Sequence, residues 1–130
     1  MELKVLKEKL SVCRLASMDA LPGDATPLFL GRTAEELSLV CPTEAVPAET
    51  LAREDGWRGF FIAGVLDFSL IGILARIAAV LAEEKIGIFV VSTYNTDYVL
   101  TKEAHFDRAL AALAKAGYSI VGISLQKKAK

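Results

Sequence analysis

The chain has 130 residues, 53% of them hydrophobic and 24% charged, and a formal net charge of −1. Such a composition excludes disorder as the main state, and the length is enough to bury a core without disulfide staples, as one compact unit or two small ones. A near-neutral balance gives no electrostatic footprint for a nucleic acid or an anionic membrane.

The mean hydropathy of +0.40 is high for a small soluble chain. A membrane span or an oligomer that hides apolar surface would explain it. The most apolar window, Gly59 to Ala82, is cut by Asp67 and Arg76, whereas a span needs about 20 apolar residues. A homodimer is therefore expected, with the small residues Ala75, Ala78 and Ala82 beside Ile71 on a helix flank that a second copy can approach. No apolar run follows Met1-Glu2-Leu3-Lys4, so no signal peptide is expected. Cys13 and Cys41 have no spaced partners, and His105 is the one histidine. No metal set and no cofactor is predicted, and the reduced cytoplasm is the expected compartment.

In chain order, Leu3 to Lys9 alternates apolar and charged residues, which predicts a half-exposed strand, continued by Ser11 to Leu15 after a bend. Ala20 to Pro27 holds two prolines and a glycine and reads as a loop. Leu28 to Gly31 and Leu37 to Cys41 are short strands. Between them Thr33-Ala34-Glu35-Glu36 fits a capping box for about one helical turn. Pro42 to Pro47 is irregular.

The second half is more regular. Trp57 to Gly64 is an apolar strand. Leu70, Ile73, Leu74, Ile77 and Leu81 then make one apolar helix face, with Asp67 or Ser69 as its cap and Gly87 as its stop. Ile86 to Thr93 is β-branched and uncharged, a strand buried on both sides or nearly so. Tyr94 to Asp97 is a turn, and Asp97 to Thr101 pairs back as a hairpin. Glu103 to Ala116 is an amphipathic helix with Phe106, Leu110 and Leu113 inward, and Tyr118 to Leu125 is the last strand. The β-α-β-β-α-β order predicts an α+β, ferredoxin-like sandwich, two helices on one face of a four-stranded antiparallel sheet. Two units are expected, 1–57 and 58–130, the first strand-rich and a degenerate counterpart of the second. The N-terminal half, a partner subunit, or both would cover the open sheet face.

Ser69-Leu-Ile-Gly72-Ile-Leu74-Ala75 and the helix that follows resemble an ACT domain, a small-molecule regulatory module of amino-acid metabolism. Leu66 to Ile73 and Ser92-Thr-Tyr-Asn-Thr-Asp-Tyr-Val-Leu100 resemble the ACT subfamily of the CASTOR arginine sensors and small bacterial tandem ACT proteins. Leu10 to Leu15 and Glu36 to Pro42 resemble the N-terminal ACT-like half of those bacterial proteins. The sequence departs from the pattern at Ser69, where many ACT domains carry Asp, and at Gly87, where many carry Asn. CASTOR-like sequences are acidic at the helix entrance, where this chain has Ser69 and Leu70. The resemblance implies a non-catalytic regulatory protein that binds an amino acid, at an inter-domain or subunit interface.

An amino acid needs donors for its carboxylate and acceptors for its ammonium. The helix start offers free N–H groups and a positive dipole end, within the segment Asp67, Phe68, Ser69, Leu70, Ile71 and Gly72. Gly72 leaves that turn open, and Ser69 adds a hydroxyl. The turn Asn95, Thr96 and Asp97 offers a carboxylate and an amide oxygen for the ammonium. The two elements need not meet within one subunit and could pair across an interface. Each residue also has a purely structural role: Asp67 as a cap, Gly72 for close packing, Asp97 as a turn former. His105 is expected in solvent, and Cys13 and Cys41 in the core.

Rival classes fit less well. An acylphosphatase-type enzyme needs an Arg-bearing, Gly-rich loop after the first strand, and Val65 to Ser69 has no Arg. An RNA-recognition motif needs basic and exposed aromatic residues on its sheet, whereas the strand segment Gly87 to Ser92 has one aromatic and no Lys or Arg. A protein-interaction module with no small ligand is the alternative reading.

Overall fold

A computed structural model of the chain describes residues 1–63 and 72–122. Its described elements are eight strands and two helices, grouped in two units: Met1–Lys7 with the chain from Arg58 onward, and Glu8–Trp57.

The 8–57 unit contains β2 (Leu10–Leu15), β3 (Phe29–Arg32), β4 (Leu37–Pro42) and the first residues of β5 (Ala52–Ile62). The strands lie in the order β3-β4-β2-β5, all antiparallel. Counted within the unit this is 2-3-1-4, the strand order of a ferredoxin-like sheet. Single 3-10 turns at Met18–Ala20 and Thr43–Ala45 stand where that fold has helices. Their flanking segments cover the core instead: Leu21, Leu28, Ala45 and Val46 pack on buried Cys13, Leu15, Leu37, Leu39 and Cys41. The helical turn expected at Thr33–Glu36 is a hairpin turn. Thr33 N–H donates to the Glu36 carbonyl at 2.9 Å, and the Thr33 hydroxyl oxygen accepts from the Glu35 and Glu36 amides. Two strands begin and end here, so the chain must reverse within four residues, and the hydroxyl satisfies the amides that the reversal strands.

β5 carries one extra residue opposite β2, because Leu10 pairs with Trp57 while Val12 pairs with Glu54. The bulge sets Asp55 beside two donors. Buried Ser11 donates its hydroxyl to Asp55 Oδ1 at 2.6 Å, and Arg53 Nε donates to the same oxygen at 2.8 Å. Ser11 Oγ is also 2.9 Å from Thr43 Oγ1, which ties the strand to the second 3-10 turn. The bonds from Arg53, then from Ser11, hold the Asp55 carboxyl below the usual carboxylate range. A carboxyl whose pKa is lower folded than unfolded stabilises the fold above its unfolded pKa and loses that contribution as pH falls through the folded value. Urea unfolding below about pH 4 is thus expected to show a stability loss that is smaller in Asp55→Asn. Equal acid sensitivity in the two proteins would refute the coupling.

The other unit holds the end of β5, α1 (Ile73–Glu83), β6 (Phe89–Ser92), β7 (Asp97–Lys102), α2 (Glu103–Lys115), β8 (Ser119–Gly122) and β1 (Glu2–Val5). Its strands run β6-β7-β5-β1-β8. The expected four-stranded sheet therefore has a fifth strand. The first residues of the chain, assigned from sequence to the N-terminal half, lie between the two strands that would otherwise pair. β1 is antiparallel to β5 and parallel to β8. Both its edges are bonded, and its alternation places Leu3 and Val5 in the core and Glu2 and Lys4 in solvent. The tight β1–β8 register explains Gly122: a Cβ there would lie 2.6 Å from Val5 Cβ. Residues 123–125 of the expected last strand lie outside the described residues.

The core of this unit joins Leu3, Val5, Phe60, Ile62 and Val99 of the sheet to Ile77 and Leu81 of α1 and Phe106, Ala109, Leu110 and Leu113 of α2. The inward helix positions match the apolar periodicity. Arg58 Nη2 donates to the Leu6 carbonyl at 3.3 Å, and its guanidinium lies 4.9 Å from the Phe106 ring centre. Arg108 Nη1 donates to the Glu84 carbonyl at 2.6 Å, joining α2 to the end of α1.

Both helices end alike. Ile86 N–H donates to the Leu81 carbonyl and Lys85 N–H to that of Ala82; Tyr118 N–H and Gly117 N–H do the same to Leu113 and Ala114. This double bond pattern needs a left-handed residue just after the helix. Gly117 supplies it at φ 107, but at α1 the residue is Lys85, at φ 60, not Gly87 as expected. The buried Ile86–Leu81 contact holds the less favourable residue in place. β6 bonds to β7 alone among the described strands and is half-buried, not enclosed on both sides as its composition suggested. An edge strand of apolar residues is what a hairpin with one covered face produces.

Candidate functional site

Of the nine expected site residues, the structure places four. Asp67, Phe68, Ser69, Leu70 and Ile71 lie outside the described residues. Gly72 occupies the N-cap position of α1 in the left-handed region, φ 87, with no side-chain cap. The helix thus begins at Ile73, and its first bond runs from the Arg76 N–H to the Gly72 carbonyl at 2.9 Å. A Cβ at Gly72 would meet no described residue within 4 Å, so among the described residues the constraint on this position is conformational, not steric.

Asn95, Thr96 and Asp97 close the β6–β7 hairpin. Thr93 N–H donates to the Thr96 carbonyl at 2.8 Å, and the Thr93 hydroxyl donates to it at 3.0 Å. Ser92 and Asp97 pair across the strands, and the serine hydroxyl donates to Asp97 Oδ1 at 2.6 Å. Asp97 Oδ2 receives no hydrogen bond from a described residue. Thr96 is buried, and its hydroxyl donates to the Ile62 carbonyl at 2.7 Å. That donor is committed to the fold. It also fixes the hairpin turn against the end of β5, the strand that leads into the 64–71 segment, within a single chain.

The corresponding elements of the 8–57 unit, the end of β2 and the β3–β4 turn, enclose a cleft of about 580 Å³ that the sequence reading missed. Its walls include Arg14, Arg32, Glu35 and Glu36, with buried Leu15 and Leu37 at its base. The charge cluster Arg32-Thr-Ala-Glu-Glu36 is visible in the sequence, but the mistaken helical turn hid its significance.

The remaining candidates lie in the core or in solvent. Burial raises the Cys13 thiol, and burial followed by neighbouring Cys13 pushes Cys41 up to about 11, so both are neutral thiols in the core. His105 is exposed, its Nδ1 3.4 Å from Arg108 Nη2. Among the described residues no group of three His, Cys, Asp or Glu could hold a metal ion, and no helix is long and apolar enough to cross a membrane.

No curated protein matches the chain. Residues 52–115 match the family model of the ACT domain. The solved structure of the protein Atu0741 from Agobacterium tumefaciens is 30% identical, covers 94% of this chain and 92% of its own, and superposes with a TM-score of 0.85. The protein VC0802 from Vibrio cholerae is 20% identical over 88% of each chain, with a TM-score of 0.69. The regulatory subunit of aspartate kinase from Thermus thermophilus, at 12% identity, covers 90% of this chain and 97% of its own with a TM-score of 0.64. The last two show a shared fold. The 2-3-1-4 sheets and these matches agree: the chain belongs to the family of the Agobacterium protein, with an ACT domain matched over residues 52–115 and a ferredoxin-like fold resembling that of aspartokinase regulatory domains.

Proposed function

We propose that the chain is a non-catalytic regulatory protein of the CASTOR-like tandem ACT kind, cytoplasmic and homodimeric, whose modules divide near residue 57 and which binds an amino acid. The ligand carboxylate meets the N–H groups of the segment Ser69 to Gly72, and its ammonium meets Asp97. One observation carries this reading: the Thr96–Ile62 bond holds the Asp97 turn beside the strand that leads into that segment. The regulatory fold of the neighbours supports it. A protein-interaction module with no small ligand is the second reading, favoured by Tyr94, fully exposed at the hairpin tip.

A thermal-shift screen against the standard amino acids, followed by calorimetric titration, separates the two. A charge-assisted hydrogen bond is worth about 1.5–3 kcal/mol, so Asp97→Asn is expected to weaken the selected ligand about 10- to 150-fold. The fold survives, because an Asn oxygen still accepts the Ser92 hydroxyl. Light scattering of the same sample gives a mass twice 14.0 kDa. Unchanged affinity removes Asp97 from the site, a screen without a shift favours the interaction module, and a monomeric mass removes the dimer.

A further inference from the structure

We propose that the cleft of the 8–57 unit binds a dipeptide-sized zwitterion with apolar side chains. The site is separate from the one at the β6–β7 turn and does not depend on it.

The cleft volume of about 580 Å³ lies within the ~300–1,000 Å³ of small-molecule sites and exceeds what one amino acid fills. Arg14 reaches it from the end of β2 and Arg32 from the end of β3, while Glu35 and Glu36 belong to the turn. Among the described residues none of these four side chains has an ion pair or a hydrogen bond. The turn is closed by backbone groups and the Thr33 hydroxyl, so the two carboxylates are not needed to build it. Four unpartnered charges of both signs around one cleft form a dipolar lining with no net charge.

That lining selects its ligand by sign. A dianion meets the glutamates, a dication meets the arginines, and a zwitterion satisfies both ends. A guanidinium can take a carboxylate through two parallel N–H bonds, and a glutamate accepts from an ammonium. The lining also includes Met18, 38% exposed, and Leu51, 58% exposed. Large apolar side chains on the wall of a charged cleft suit a ligand whose ends are charged and whose body is apolar. The cleft has room for a body longer than that of a single α-amino acid, whose two charges are separated by one carbon.

The test is calorimetric titration of the full chain with leucyl-leucine, N-acetyl-leucyl-leucine, leucyl-leucine amide and leucine. Leucyl-leucine is expected to bind, and capping either terminus to weaken it about 10- to 150-fold, the value of one charge-assisted bond. Arg14→Ala with Arg32→Ala, and separately Glu35→Gln with Glu36→Gln on the exposed turn, weaken leucyl-leucine similarly. Asp97→Asn leaves it unchanged, which separates this site from the other. No heat at millimolar leucyl-leucine, equal binding of the capped forms, tighter binding of leucine, or full affinity in both folded double variants would each overturn the proposal.

Discussion

Phe106→Ala is expected to remove about 3–5 kcal/mol of unfolding free energy, the usual cost of truncating a buried phenylalanine. The ring is 2% exposed and joins the core of sheet and both helices. Its loss opens a cavity that close-packed neighbours fill only in part. It also takes away the aromatic face beside Arg58, whose buried Nε has no hydrogen-bond partner among the described residues. A partly buried guanidinium gains about 0.5–2 kcal/mol from such a face, so its loss adds to the cavity cost. Total stabilities of small proteins are about 5–15 kcal/mol, and the variant is expected to unfold at much lower urea. The measurement is urea unfolding followed by circular dichroism. A loss under about 1.5 kcal/mol would show that α2 is not anchored through this ring. Phe106→Leu keeps most of the volume and should lose less, which separates the cavity from a general failure of the helix.

Leu3→Ala is expected to cost about 2–5 kcal/mol, although the residue is third in the chain, where substitutions are usually tolerated. Leu3 is fully buried, paired with Ile62 on one side and Ile120 on the other. Truncating it opens a cavity in an interior strand, between β5 and β8. Lys4→Ala, one residue on and pointing to solvent, should change stability by no more than about 0.5 kcal/mol. The contrast tests whether β1 is an interior strand. Equal, small effects at both positions would place the first residues outside the core.

The period of the apolar residues and the positions of breakers were enough to read α2 within one residue, the inward faces of both helices, and the β6–β7 hairpin. These are local: a helix face repeats every 3.6 residues wherever the helix packs. The Asp97 turn was legible for the same reason, since Asn, Thr and Asp bond their own backbone. Pairing between distant strands has no such local mark. Leu3 and Val5 alternate identically in an edge strand and in an interior one, so nothing in residues 1–7 says that they insert between β5 and β8. The left-handed conformation of Lys85 is likewise imposed from outside, by burial of Ile86 against Leu81, and overrides the preference that pointed to Gly87. The cleft between β2 and the β3–β4 turn is built from residues about twenty apart, brought together by the β2–β4 ladder. The sequence by itself determined most of the elements, the ferredoxin-like order and the turn at Asn95 to Asp97. Tertiary structure alone decided where the first strand goes, what Thr96 is bonded to, and which charges face one cavity, because those depend on pairings whose partners are far apart in the chain and interchangeable in their local pattern.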